Sequence, residues 1–299
     1  MIYGIGETVF DILFDTSNKP MTSTPGGSTF NAMISLGRSG RAVSFISEVG
    51  DDHIGELTRS FLKANGVDER YVVTRRSMRS PLSLAFIDSA GDAHYTFYKD
   101  HAHDAIPMYE IEPRVNEEDV LLFGSFYAIN PVLAEQVKYV VEQFYKAGSV
   151  IYYDVNFRAS HKGELKAVMP NVIYNFEKAT IVKGSDEDFG LLLGETDPEK
   201  IYKSMFESMG KVFVCTRASK GVELFYGKEH MHVEARDIKP VSTIGAGDSF
   251  NAGFLAKFSR SIEDGERCFS MESLEMNVKE GVEYATEVCL SLDNYIAHR

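Results

Sequence analysis

The run Val241–Phe254, VSTIGAGDSFNAGF, sets a small-residue turn, Gly245-Ala246-Gly247, directly ahead of Asp248 and a helix-like stretch through Phe258. Small residues let the backbone come close to a ligand. The first N–H groups of a helix lack intrahelical partners, and the helix dipole there favours anions. A negatively charged transition state could therefore rest on Gly245, Ala246 and Gly247. Asp248 could simply cap the helix. It could also take the proton of an attacking hydroxyl. With an ordinary carboxyl pKa near 3.9 it is ionised at neutral pH. Such a base is weak toward a ground-state alcohol, so the proton would move late, as the hydroxyl becomes acidic on attacking phosphorus. A second cluster, Pro25-Gly26-Gly27-Ser28-Thr29-Phe30-Asn31-Ala32, brings Gly27 and Asn31 to a helix start. The Asn31 amide offers a donor and an acceptor, which suits a sugar hydroxyl. The same residues also describe a tight turn and an N-cap. Asp11, read at the end of the first strand, is either an ordinary strand-end carboxylate or a partner for a pair of hydroxyls.

The elements that position these groups alternate along the chain. Val43–Val49, Val120–Phe123, Val150–Val155, Ala179–Lys183, Val212–Thr216 and Val222–Tyr226 are short apolar runs that suit strands buried on both faces. Thr29–Ser39, Ile54–Asn65 and Pro131–Ala147 read as amphipathic helices, the last with Pro131 in its first turn and Gly148 at its end. Strands alternating with helices predict a mostly parallel α/β sheet covered on both faces. Pro81–Asp88 and His94–Lys99 break the rhythm. They read as a hairpin across Ser89–Ala93, with Ser83, Ala85 and Ile87 facing opposite to Leu82, Leu84 and Phe86. With Asp11–Asp15 and the stretch to Thr24 they predict a small lid sheet.

Composition bounds the rest. The chain has 299 residues, 44% hydrophobic and 25% charged, with a net charge of −13. That size and balance predict a globular chain with a core of its own. The excess of acid disfavours nucleic acid and anionic membrane surfaces, yet leaves room for a locally built phosphate site. Cys215, Cys268 and Cys289 are odd in number and far apart, which argues against a disulfide framework and for a reducing compartment. No apolar run nears the ~20 residues of a spanning helix. The start, MIYGIGE, lacks a basic region and reads as a first strand, so a soluble cytoplasmic protein is expected. Asp188-Phe189-Gly190 matches a protein-kinase tripeptide, but no partner motif accompanies it. There is no Walker A sequence, and Gly4 and Gly6 lack the third glycine of a dinucleotide fingerprint. His101 and His103 are two isolated histidines in a polar stretch, too few for a metal site.

Taken together, the motifs resemble the PfkB (ribokinase-like) family of carbohydrate kinases over nearly the whole length. Gly26-Gly27 with Asn31 matches that family's GG…N sugar signature, Gly50-Asp51-Asp52-His53-Ile54-Gly55 its GxDxxG segment, and Thr243–Phe250 its TxGAGD signature. The resemblance implies a single domain over residues 1–299. Its fold would be a three-layer α/β one, a central mostly parallel sheet with a small β-sheet lid from about 11–25 and 80–100. It implies Asp248 as catalytic base, Gly245, Ala246 and Gly247 as anion hole, and Asp11, Gly27 and Asn31 as sugar contacts. Thr216-Arg217-Ala218-Ser219-Lys220-Gly221 is similar to a TxGxxG stretch near the nucleotide phosphates, with Ala218 where glycine is common. Thr216, Ala218, Ser219 and Gly221 would meet the nucleotide there. Lys183-Gly184-Ser185-Asp186-Glu187-Asp188 is similar to KxNxxE, with Ser185 for Asn and Asp188 for Glu. Lys183 and Ser185 would then lie toward the phosphates, and Asp188 toward magnesium through water. Asp154-Val155-Asn156-Phe157-Arg158 resembles the DxNxR element of fructokinase-like and ketodeoxygluconate kinase-like members, which points Asn156 and Arg158 at sugar or donor. Thr286 falls where the adenine pocket is lined. Ser242 replaces the acidic residue many members place near a monovalent cation.

The resemblance implies Mg²⁺, ATP as co-substrate and a small sugar as acceptor. Fructose comes first, from DxNxR and the strand Tyr95–Lys99, with Lys99 near where arginine is common. 2-Keto-3-deoxygluconate is the rival substrate, its carboxylate calling for Lys99 or Arg158. Ribose and nucleosides rank lower. A non-catalytic sugar-binding protein on the same fold and a dinucleotide-dependent oxidoreductase are the alternatives of other classes. An exposed lid face could pair with a second copy.

Overall fold

The computed structural model describes residues 1–76, 78–88, 93–99, 111–265 and 269–299. Its strands are β1 Ile2–Ile5, β2 Val9–Phe14, β3 Pro20–Gly26, β4 Val43–Gly50, β5 Val67–Asp68, β6 Val72–Arg75, β7 Leu82–Ile87, β8 Ala93–Tyr98, β9 Val120–Gly124, β10 Val150–Asp154, β11 Ile181–Ser185, β12 Val212–Thr216, β13 Val222–Tyr226 and β14 Glu229–Val233. The helices are α1 Ser28–Arg38, α2 His53–Ala64, α3 Ala134–Lys146, α4 Leu165–Lys178, α5 Asp186–Leu193, α6 Pro198–Ile201, α7 Ala246–Glu263 and α8 Met271–Cys289.

Ten strands form one sheet in the order β14-β13-β12-β11-β10-β9-β1-β4-β5, with β6 also on β4. β12/β13 and β13/β14 run antiparallel; the other pairings are parallel. Alternation within the strands serves two cores. Ile2, Val120, Leu122, Val150, Tyr152, Val212 and Val214 face the side covered by α1, α7 and α8. Tyr3, Ile5, Leu121, Phe123, Ile151, Tyr153 and Phe213 face the side that holds α3, α4 and α5. Both faces are dry, which explains why these strands read as unbroken apolar runs. The result is the expected three-layer α/β fold.

The second sheet has four strands, β3-β2-β7-β8. Asp11 pairs in register with Ser83, and Leu82–Ile87 lie opposite Tyr98–Ala93. Ser83 and Ala85 are buried while Leu82, Leu84 and Phe86 stay partly exposed, so the two-faced alternation holds. The connection Ser89–Asp92, His101, His103 and Cys268 lie outside the described residues. Cys215 and Cys289 are unbridged. No helix among the described residues is long and apolar enough to cross a membrane.

Two boundaries differ from expectation. The helix expected from Pro131 starts at Ala134, because the Asn130 side chain accepts the Val132 N–H at 3.0 Å and folds Pro131–Leu133 into a turn. The strand expected from Ala179 starts at Ile181, because Ala179 N still donates to Asn175 O of α4 at 2.9 Å.

Candidate active site

The site gathers where the parallel strands end at their carboxyl side, the usual place for ligands in open α/β sheets. α7 begins there because Gly245 turns the chain at φ 78°. A Cβ on Gly245 would lie 2.6 Å from Asn294 O, so no other residue fits without backbone movement. The first intrahelical bond of α7 runs from Ser249 N to Gly245 O at 2.8 Å. The amides of Gly247 and Asp248 stand ahead of that bond, at the positive end of the helix dipole. Gly27 starts α1 in the same way. Its φ is 129°, and a Cβ would meet Glu7 O at 2.4 Å.

The two helix starts meet at Asp248. Its Oδ1 accepts from Ser28 Oγ at 2.8 Å, and its Oδ2 accepts from Asn31 Nδ2 at 2.9 Å. Asp248 is buried, and burial pushes its carboxyl up to about 6 from an ordinary 3.8; the bonds from Asn31 and Ser28 only partly offset that rise. Asn31 Oδ1 is also buried and has no hydrogen-bond partner among the described residues. The space in front of it is lined by Gly26 and Asp11. A Cβ on Gly26 would lie 2.6 Å from Asp11 Oδ2 and 3.8 Å from Asn31 Oδ1. The structure thus brings Asp11, Asn31 and Asp248 to one cleft. Burial pushes the Asp11 carboxyl up to about 6, with Glu7 adding to the rise and Lys99 opposing it.

The other expected sugar contacts divide. Lys99, just past β8, donates to Glu7 Oε2 at 2.6 Å, so it arrives at this cleft already paired. Asn156 has φ 36°, an unusual conformation that Asn tolerates better than most residues. Its Nδ2 donates to Ser28 Oγ at 2.8 Å. Arg158 is exposed, and its side chain makes no ion pair or hydrogen bond among the described residues, while its carbonyl accepts from His161 N at 2.9 Å.

Beneath the α7 start lies a buried charge pair. Lys183 Nζ is 3.0 Å from Asp154 Oδ1. Asn251, one turn after Asp248, donates to Asp154 Oδ2 at 2.7 Å and accepts from Tyr152 OH at 3.1 Å. Burial alone would lower the Lys183 ammonium, yet Asp154, Asp188 and Asp248 together hold it above its ordinary value. A Cβ on Gly247 would sit 3.4 Å from Nζ, so the ammonium lies directly under the small-residue turn. Lys183 therefore lies between Asp154 and the start of α7.

Ser185 and Asp188 form a capping box on α5. Ser185 Oγ accepts from Asp188 N at 3.0 Å, and Asp188 Oδ2 accepts from Ser185 N at 2.7 Å. Asp188 Oδ1 accepts from Phe157 N at 2.8 Å, which ties the start of α5 to the chain leaving β10. Burial raises the Asp188 carboxyl, with Lys183 opposing. Both Asp188 oxygens are thus committed, and no group of three His, Cys, Asp or Glu gathers for a metal among the described residues. This donor set fits magnesium carried by phosphates and water, with Asp188 in an outer position, better than a protein cage.

The expected nucleotide residues Thr216, Ala218, Ser219 and Gly221 gather at and past the end of β12, the strand beside β11, where Thr216 pairs with Ser185. Thr216 ends β12, Ala218 and Ser219 are exposed, and at Gly221, with φ 85°, a Cβ would run into Val233 O. Ala218 has φ 48°, which explains why glycine suits this position. Thr286 turns its hydroxyl onto Val282 O of its own helix at 2.7 Å. The α8 end is joined to the chain before α7 by Val241 N donating to Cys289 O at 2.8 Å.

Four residues of this arrangement were not singled out from sequence. Ser28, Asp154 and Asn251 lie inside the quoted motifs, and the spacing of Asn251 three residues after Asp248 puts both on one helix face. Glu7 carried no local signal; only the chain fold brings Lys99 to it.

The family described as pfkB family carbohydrate kinase matches residues 2–293. The fructokinase of Rhizobium leguminosarum bv. trifolii is 29% identical over 262 residues, covering 86% of this chain and 79% of that one. Aminoimidazole riboside kinase from Salmonella enterica, complexed with aminoimidazole riboside and an ATP analog, superposes with a TM-score of 0.86 at 20% identity, covering 100% of this chain and 96% of that one. Fructokinase from Vibrio cholerae O395, in its fructose, ADP and calcium ion bound form, gives 0.85 at 20% identity, covering 99% and 94%. These two structures share the fold described above.

Proposed function

The chain belongs to the pfkB family of carbohydrate kinases, and on that premise we propose that it transfers the γ-phosphoryl group of ATP to the primary hydroxyl of fructose, giving fructose 6-phosphate. The observation that carries the reading is the meeting of Asp248, Ser28 and Asn31 at the start of α7. One face of that junction is a carboxylate that can take a proton. The other is a helix end with free amides that can hold an anion.

In this reading the sugar lies against Asp11, Gly27 and Asn31. The unpaired Asn31 Oδ1 and the desolvated Asp11 carboxylate accept its hydroxyls. The attacking oxygen forms its bond to phosphorus as the bond to ADP breaks, and Asp248 takes the proton. The turn Gly245-Ala246-Gly247 holds the phosphoryl oxygens, with the Gly247 amide free and the Ala246 amide released from Thr243 O, which it meets at 3.3 Å without ligand, and with Lys183 beneath them. One such preorganised donor is worth about 10²–10³ in rate. Magnesium, when bound, would neutralise phosphate charge with Asp188 in its outer sphere. Thr216, Ala218, Ser219 and Gly221 receive the nucleotide, Thr286 its base, and Asn156 and Arg158 flank the transfer. The four-stranded sheet acts as a lid on the one catalytic domain, and water exclusion limits ATP hydrolysis. The molecule would work in the cytoplasm.

A neutral sugar is favoured over a sugar acid because Lys99 is already engaged by Glu7, and Glu7 with Asp11 makes that end of the cleft acidic. The outer face of the small sheet supports a homodimer. There Phe14 stacks on Phe86 at 4.7 Å, Leu82 and Leu84 are partly exposed, and Tyr98, opposite Leu82, is exposed.

The test is ADP production with Mg-ATP across fructose, 2-keto-3-deoxygluconate, ribose, glucose and adenosine, for wild type and Asp248→Asn. Fructose should be preferred, and the variant should lose about 10²–10⁴, the span of a general base. Preference for another acceptor would overturn fructose alone. An active Asp248→Asn would overturn the assignment of the base.

A further inference from the structure

We propose that Ser28 is a positioning residue for the proton-accepting carboxylate: anchored by Asn156, its hydroxyl donates to Asp248 and fixes that carboxylate's orientation and readiness to ionise. The inference rests on the reading of Asp248 as base. It concerns a residue to which none of the motif assignments gives a role.

The direction of the chain follows from donor chemistry. Asn156 Nδ2 has only protons to give, so Ser28 Oγ, 2.8 Å away, must accept. A hydroxyl has a single proton, and here it lies toward Asp248 Oδ1, 2.8 Å away. Asn31 Nδ2 holds the opposite oxygen at 2.9 Å. Two donors on two oxygens stop rotation of the carboxylate. Three separate parts of the fold supply this chain: the start of α1, the segment after β10 and the first turn of α7. Asn156 adopts φ 36° to reach it, a conformation costly for most side chains.

The electrostatic consequence has a definite sign. Hydrogen bonds to the ionised form favour ionisation, whereas burial opposes it. The charged groups that face Asp248 are Asp154 on β10, which disfavours its ionisation, and Lys183 on β11, which favours it. Those two are paired with each other and stay in place when Ser28 changes. Removing the Ser28 proton therefore leaves burial less opposed, and Asp248 should hold its proton to higher pH.

The experiment is the pH profile of kcat/KM for the preferred sugar at saturating Mg-ATP. Ser28→Ala should move the acid limb upward by about one pH unit or more, the size expected for a bond to a charged group. The activity deficit should be large at pH 6 and small at pH 8. Ser28→Thr, which keeps the hydroxyl, should restore the wild-type limb. Asn156→Ala should shift it in the same direction by less, and adding it to Ser28→Ala should change little further. Titration of ATP itself is common to all variants and cancels. A Ser28→Ala profile that superimposes on wild type after scaling would overturn the inference. So would an Asn156→Ala shift that simply adds to that of Ser28→Ala, and this second comparison stands even if one variant folds poorly. Turnover retained by Asp248→Asn would instead remove the base assignment.

Discussion

Asp248→Asn should make the protein more stable at neutral pH while lowering its activity about 10²–10⁴-fold. The carboxyl pKa is raised by burial from 3.8 to about 6. A raised pKa means that the folded state binds the proton more tightly than the unfolded chain. The associated stability is fully present below about pH 4 and is lost as pH rises through about 6. A shift of about two units at 1.36 kcal/mol each puts the neutral-pH cost on the order of 3 kcal/mol. Asparagine cannot ionise and escapes that cost. Its Oδ1 can still accept from Ser28. Its new amide protons would face Asn31 Nδ2, but Asn31 has an unpartnered Oδ1, so turning the Asn31 amide over restores a bond. At roughly 2–4 °C per kcal/mol for a large domain, the variant should melt several degrees above wild type at pH 8. The gap should shrink between pH 6.5 and 4.5 and vanish near pH 4. Differential scanning fluorimetry across that range, without nucleotide, is sufficient. Equal melting temperatures at pH 8, or a gap that does not change with pH, would refute the claim that the fold holds this carboxylate at a cost.

Two further outcomes follow from the same geometry. Lys183→Met leaves Asp154 buried without its cation and should cost about 3–5 kcal/mol in urea unfolding, whereas Lys183→Met with Asp154→Asn should recover a large part of that loss; additive losses would count against the pair. The outer face of the small sheet should hold two copies together, so Leu84→Lys should convert a dimeric mass in sedimentation to a monomeric one; a monomeric wild type at micromolar concentration would dispose of the dimer.

The apolar runs at β4, β9, β10, β12 and β13 were legible because each strand is buried on both faces, so hydrophobicity alone marks it. The turn at Pro131 was not, because a helix start depends there on one side-chain bond from Asn130. The site divides in the same manner. Gly245 and Gly27 carry their backbone requirement in their own residue type, and they could be read where they stand. The partners of charged groups could not. Asp248 meets Asn31 across 217 positions, Lys183 meets Asp154 across 29, and Lys99 meets Glu7 across 92. No local pattern encodes such a pairing, and here pairing decides chemistry. Lys99 is paired with Glu7, Asn156 donates its amide to Ser28, and Lys183 is held by Asp154 under Gly247. In each case the fold spends a polar group on holding another polar group. A buried carboxylate that must stay ionised and correctly aimed requires such support, since every unopposed increment of burial raises its pKa and removes base at working pH. The charge and hydrogen-bond partners around Asp248 are therefore as much a part of the proposed catalyst as the residue itself.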